Sequence, residues 1–138
     1  MTARASLEDT NHAVTKALRR ASLRRIPRHP DHRGIILAIV CLGMQRRYAY
    51  SEPGLNELIQ AELARMNATV DHVTCRRYLV DLGFIKRDRA GTRYFLNYPK
   101  VEATLSEDAM ANAHQLVEQA LRMAHKKLSS NRQASKHP

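Results

Sequence analysis

At 138 residues with a formal charge of +10, the chain is large enough for one modest core with extensions and too small for two. The surplus of lysine and arginine favours polyanionic partners, nucleic acid first among them. Tryptophan is absent and aromatics make up only 5%, so aliphatic side chains must build the core, and single-stranded nucleic acid, whose bases stack on exposed rings, is disfavoured.

Two cysteines in unrelated surroundings make neither a disulfide framework nor a zinc-ligand set, in keeping with a reducing cytoplasm. The apolar run Ile35 to Met44 is far short of the roughly twenty residues that cross a bilayer, and no cleavable signal segment precedes it. The expectation is a soluble, cytoplasmic, nucleoid-associated protein with no membrane partner. No glycine-rich phosphate loop, nucleophile motif or set-apart carboxylate pair is present, so neither enzyme activity nor a cofactor or small-molecule ligand is expected. His29-Pro30-Asp31-His32 offers metal-type side chains without a third and fourth ligand at sensible spacing.

In chain order, Ser6 caps a first helix with acids in its first turn and Val14, Ala17, Leu18 and Ala21 on one face. Arg19, Arg20, Arg24, Arg25 and Arg28 run on into Pro27-Arg28-His29-Pro30, where two prolines interrupt any helix and leave a linker or a basic arm able to lie along phosphates. Asp31 or His32 opens a second helix, apolar nearly all round from Ile35 to Met44, which is the pattern of a central helix. Tyr48-Ala49-Tyr50 alternates like a very short strand. Ser51 caps a third helix with Pro53 in its first turn and Leu55, Leu58, Ile59, Leu63 and Met66 on its apolar face.

Thr69 is the expected N-cap of a fourth helix, with Asp71 in its first turn, Cys75, Leu79 and Leu82 as its apolar stripe and Gly83 as its stop. Phe84–Arg87 and Arg93–Leu96 flank Asp88–Thr92, a spacing that suits a hairpin. Asn97 to Lys100 breaks the pattern. Ser106 then opens a long helix with a seam at Ala109, Ala113, Leu116, Ala120, Met123 and Lys127, which packs on the first helix or on a second subunit, a homodimer being favoured.

The fold class expected is mainly α, an α+β winged helix-turn-helix with core order α-β-α-α-β-β and extra terminal helices. Its division is a helix and basic arm over 1–30, a DNA-binding domain over 31–98, a C-terminal helix over 99–130 and a disordered tail over 131–138. In such a layout one helix enters the major groove while the hairpin lies along the backbone or in the minor groove. His72, Thr74, Arg76 and Arg77 on the fourth helix, Lys86, Arg87, Arg89 and Arg93 on the hairpin, and Arg24 and Arg25 on the arm are the candidate contacts to double-stranded DNA. One of the paired arginines could instead form a structural pair with Asp71, Asp81 or Glu52. His72 and Cys75, one turn apart, raise the question of a redox switch, against which stands the apolar stripe that holds Cys75.

Tyr50-Ser51-Glu52, Leu55-Asn56, the run Asp71 to Gly83, and Arg87, Gly91 and Tyr94 together resemble an uncharacterised bacterial winged-helix family, a domain of unknown function usually described as transcriptional regulators. The resemblance covers about residues 46–97. Its paired arginines fall on Arg76 and Arg77 and its wing glycine on Gly91, with departures at Cys75 and Phe95 that keep an apolar residue. The alternatives are a protein-interaction module on the same fold and a non-specific architectural DNA-binding protein.

Overall fold

The computed structural model describes residues 3–135, with side chains through Arg132. Among these residues the order is α1 (Leu7–Ala17), α2 (Pro30–Cys41), α3 (Glu52–Arg65), α4 (His72–Asp81), β1 (Ile85–Arg87), β2 (Tyr94–Leu96), α5 (Tyr98–Thr104) and α6 (Glu107–Ser135). The fold is mainly helical with one small antiparallel sheet, an α+β arrangement. No helix in it is long and apolar enough to cross a membrane.

Local chemistry sets most of the helix starts. Ser6 Oγ accepts from Asp9 N at 3.0 Å while the Asp9 carboxylate accepts from Ser6 N at 3.1 Å, a reciprocal cap that satisfies two amides before α1. The helix ends at Ala17, short of the expected face through Ala21, which adopts φ 60 after a turn closed by Ala21 N to Leu18 O. His29, not Asp31 or His32, caps α2. Its Nδ1 accepts from Asp31 N at 3.2 Å, and Pro30, which has no amide to satisfy, takes the first turn. The helix buries every residue from Ile35 to Cys41 and stops there, before Met44. Ser51 caps α3 through Gly54 N, as its position predicts.

Asp71 rather than Thr69 caps α4: its carboxylate accepts from Thr74 N at 2.7 Å. Thr69 is instead occupied in pairing, its amide donating to Leu23 O at 3.0 Å. Cys75 and Leu79 are buried as the stripe predicts, and Gly83, at φ 82, ends the helix.

The strand expected at Tyr48–Tyr50 reduces to a single bridge between Tyr50 and Tyr94 beside the hairpin. The register of β1 and β2 pairs Ile85 with Leu96, Lys86 with Phe95 and Arg87 with Tyr94. After β2 the break expected at Asn97 to Lys100 is the start of α5, because Pro99 sits in a first turn that needs no amide from it. Arg46 lies over the Tyr98 ring at 4.0 Å and links the loop after α2 to this helix.

A single apolar core runs from Ala13 and Val14 through α2 to Ala113, Val117 and Ala120, so the boundaries expected at residues 30 and 98 fall inside one packed body. The stretch expected as a linker or arm is pinned to that body by buried Leu18, Leu23 and Ile26. α6 packs on α1 and buries Ala109, Ala113 and Ala120, and its seam drifts from Met123, which is 71% exposed, to Ala124, as a helix of 3.6 residues per turn must when its partner ends. Glu62 on α3, only 5% exposed, accepts from His114 on α6 at 3.1 Å and ties the same helix to the centre. Of the tail expected to be disordered over 131–138, residues through Ser135 are helical; 136–138 lie outside the described residues.

Candidate nucleic-acid interface

The arginine segment and the entry to α4 are joined main chain to main chain. Leu23 N donates to Met66 O at 3.1 Å, Leu23 O accepts from Thr69 N, and Ser22 Oγ donates to Asn67 O at 2.6 Å. Asn67, at φ 48, makes the tight turn between α3 and α4 that these bonds require. Arg24 and Arg25 follow Leu23 directly and are exposed, so the structure holds them beside the turn that leads into α4.

The paired arginines of α4 part company. Arg76 donates to Asn56 Oδ1 and lies 3.0 Å from Glu52 Oε1, with its side chain only 15% exposed. It is a strut between α3 and α4, in the pairing with Glu52 that its sequence allows. Arg77 points outward on the face shared by Val73 and Asp81, both exposed, and half-buried Thr74. His72 is half-buried with its Nδ1 3.1 Å from Gln60 Nε2, a second and weaker tie to α3.

On the hairpin, strand alternation puts Lys86 and Phe95 on the face away from the core, while Arg87 shares the side of buried Tyr94 and passes its guanidinium over that ring at 5.2 Å. Arg89 is exposed at the tip and Arg93 at the loop's return. The loop holds itself: Asp88 Oδ1 accepts from Thr92 N at 2.8 Å and Arg93 N at 3.2 Å, and Gly91 takes φ 70. This use of the acid leaves the loop's arginines uncompensated. Among the described residues Arg24, Arg25, Arg77, Lys86, Arg89 and Arg93 make no ion pair, side-chain hydrogen bond or ring contact, a set of free cations able to meet phosphates.

The Cys75 thiol, fully buried, is pushed up to about 12 by desolvation, and burial raises that of Cys41 further still. Neither is a thiolate at neutral pH, and His72 turns to Gln60 instead of the sulfur. His12, His29 and His32 cluster with ring centroids 5.6 and 4.7 Å apart, but among the described residues no three His, Cys, Asp or Glu side chains converge to hold a metal.

From the sequence, the arginines of residues 19–28 read as part of a linker or a basic arm; in the structure they line a concavity with Lys16. Leu18, Leu23 and Ile26 are buried between the arginine pairs but follow no helical or strand period, so the sequence carries no local signal for the concavity.

These features define a basic, mainly helical α+β domain with a hairpin directly after α4. The chain belongs to the family described as "Uncharacterized protein conserved in bacteria (DUF2087)", which matches residues 22–96. The match takes in Arg24, Arg25 and Arg28, α2 to α4 and the hairpin, and begins well before the residues 46–97 that carry the resemblance. No curated protein and no solved structure matches the chain.

Proposed function

We propose that the chain is a sequence-specific double-stranded DNA-binding protein of winged helix-turn-helix design, acting as a dimeric transcriptional regulator in the bacterial cytoplasm. In this reading α3, the Asn67 turn and α4 are the helix-turn-helix and β1–β2 is the wing. The observation that carries it is the main-chain pairing of Leu23 with Met66 and Thr69, which sets Arg24 and Arg25 at the mouth of α4 while Arg77 stands free on its outer face. Arg77 is suited to a guanine edge or a phosphate and Val73 to a thymine methyl; Lys86, Arg89 and Arg93 supply backbone contacts from the wing. Dimerisation falls to the end of α6, where Met123 and Leu128 remain exposed beyond the part packed on α1.

A second reading is supported by the α4 surface itself. Val73 is 43% exposed and Asp71 and Asp81 stand at the two ends of the helix, a mix of apolar and acidic groups that also suits a protein partner.

Fluorescence anisotropy on random-sequence duplexes across a salt series, run beside a selection for enriched sites, tests the proposal. Steep salt dependence with an enriched two-fold site is the expected result. Binding without enrichment reassigns the protein to an architectural role, and no binding at low salt leaves the interaction module. A chain ended at His125, which keeps every core residue of α6, is expected to melt as the full chain does but to scatter light as a monomer; a persistent dimer moves the interface off α6.

A further inference from the structure

The concavity between the end of α1 and the start of α2 is lined by Lys16, Arg19, Arg20, Arg24, Arg25 and Arg28, and no carboxylate lines it. Among the described residues none of these six cations has an ion pair or a side-chain hydrogen bond. Like charges gathered in a hollow repel one another more than they would on a convex surface, because low-dielectric walls confine the field. The carbonyl end of α1 offsets this near Lys16 and Arg19.

The hollow is built rather than incidental. Leu18, Leu23 and Ile26 are each 5% exposed or less and anchor the backbone between the arginine pairs, while the left-handed turn at Ala21 folds Arg19 and Arg20 back toward Arg24 and Arg25. The side chains therefore converge from a fixed backbone. Apart from the imidazoles of His29 and His32 at one edge, the lining offers no ring on which a nucleobase could stack.

We propose that this groove binds a compact oligophosphate anion, recognised by its phosphate chain and not by an attached base. Several closely spaced negative charges match a cluster of guanidiniums better than the single charge of orthophosphate, since each phosphate can engage its own arginine fork. Because Arg24 and Arg25 belong both to this groove and to the proposed DNA contacts, a bound oligophosphate competes with DNA; that competition, unlike the site itself, rests on the DNA-binding reading.

The test is isothermal titration of the full chain at about 150 mM salt with tripolyphosphate, ATP and orthophosphate. Tripolyphosphate and ATP are expected to bind once per chain with similar affinity, each at least about tenfold tighter than orthophosphate. R20A/R28A should weaken tripolyphosphate by about tenfold or more, while R122A/K126A, which removes the same charge from α6, should leave it within about twofold. No tripolyphosphate binding, or equal weakening by both variants, overturns the proposal; ATP binding alone replaces phosphate-chain recognition with base recognition and overturns it too. Displacement of a labelled duplex by tripolyphosphate then separates the two readings. Oligophosphate binding in a chain that binds no DNA upholds the groove and rejects the DNA reading, and DNA binding without oligophosphate binding does the reverse.

Discussion

Tyr50 and Tyr94 exchange both main-chain hydrogen bonds, Tyr50 N to Tyr94 O at 2.8 Å and Tyr94 N to Tyr50 O at 2.9 Å, and this one residue pair fastens the hairpin to the loop before α3. The Tyr50 hydroxyl also accepts from Gln45 N at 2.7 Å, which closes the loop around left-handed Arg47. Tyr50→Phe should cost about 1 kcal/mol by stranding that amide. Tyr94→Ala should cost about 3–5 kcal/mol, since a fully buried ring leaves a cavity. Urea denaturation of the two variants checks the order.

Arg76 and Arg77 should separate cleanly. Arg76→Ala loses the link to Glu52 and Asn56 and should destabilise by about 1–3 kcal/mol, as for a charged hydrogen bond with little exposure. Arg77→Ala should change stability by less than about 0.5 kcal/mol yet weaken duplex binding. Melting curves paired with gel retardation show whether the two effects divide in this way; an Arg77 variant that retains full specific binding removes α4 from the proposed interface.

Much of the fold is legible in the sequence because it follows from local rules. Ser6, Ser51 and Gly83 act within three or four residues of themselves, and the period of Cys75 and Leu79 marks the buried side of α4 without any knowledge of what covers it. What is not legible depends on distant partners. Arg76 has the same local setting as Arg77 and is removed from the surface only by Asn56, 20 positions away, and by Glu52. The arginine run conceals Leu23 and Ile26 because two apolar residues among many charges show no helical or strand period, and their burial comes from pairing with the α3–α4 turn. Tyr98-Pro99 reads as a break where proline in fact opens a helix, and α5 is held by Arg46 from a loop far upstream.

Acid should loosen the helix starts together. The hydrogen bonds from the Thr74 backbone and side chain hold the Asp71 carboxyl below its ordinary 3.8, and the bonds from Ser6 do the same for Asp9. A carboxyl whose value is depressed on folding adds stability that is complete above about 3.8 and drains away as the pH falls through the lower folded value. Thermal melts should therefore be flat in this respect from neutral pH to above 4 and fall below it, with Asp71→Ala showing a shallower acid limb. An unchanged limb in that variant would sink the assignment of Asp71 as the cap that matters.

Thiol chemistry should report unfolding and little else. With both sulfurs buried and their ionisation pushed up, to about 12 at Cys75, neither thiol should react with an aromatic disulfide reagent at pH 8 in the native protein, and both should react at once in denaturant. Rapid native labelling of Cys75 would restore the redox switch beside His72.

The ties of Leu23 to Met66 and Thr69 also bear on how the molecule opens. Leu23 and Thr69 lie 46 positions apart in the chain, yet the amide of each is protected by the other's segment: that of Leu23 by Met66 O, that of Thr69 by Leu23 O. Neither amide can meet solvent without breaking the same junction, so both should exchange their hydrogens in a single local opening, with matched protection and matched response to denaturant. The arginine loop and the first residues of α4 should thus open as one cooperative unit, and an anion that binds the loop in its closed form should slow the exchange of both amides.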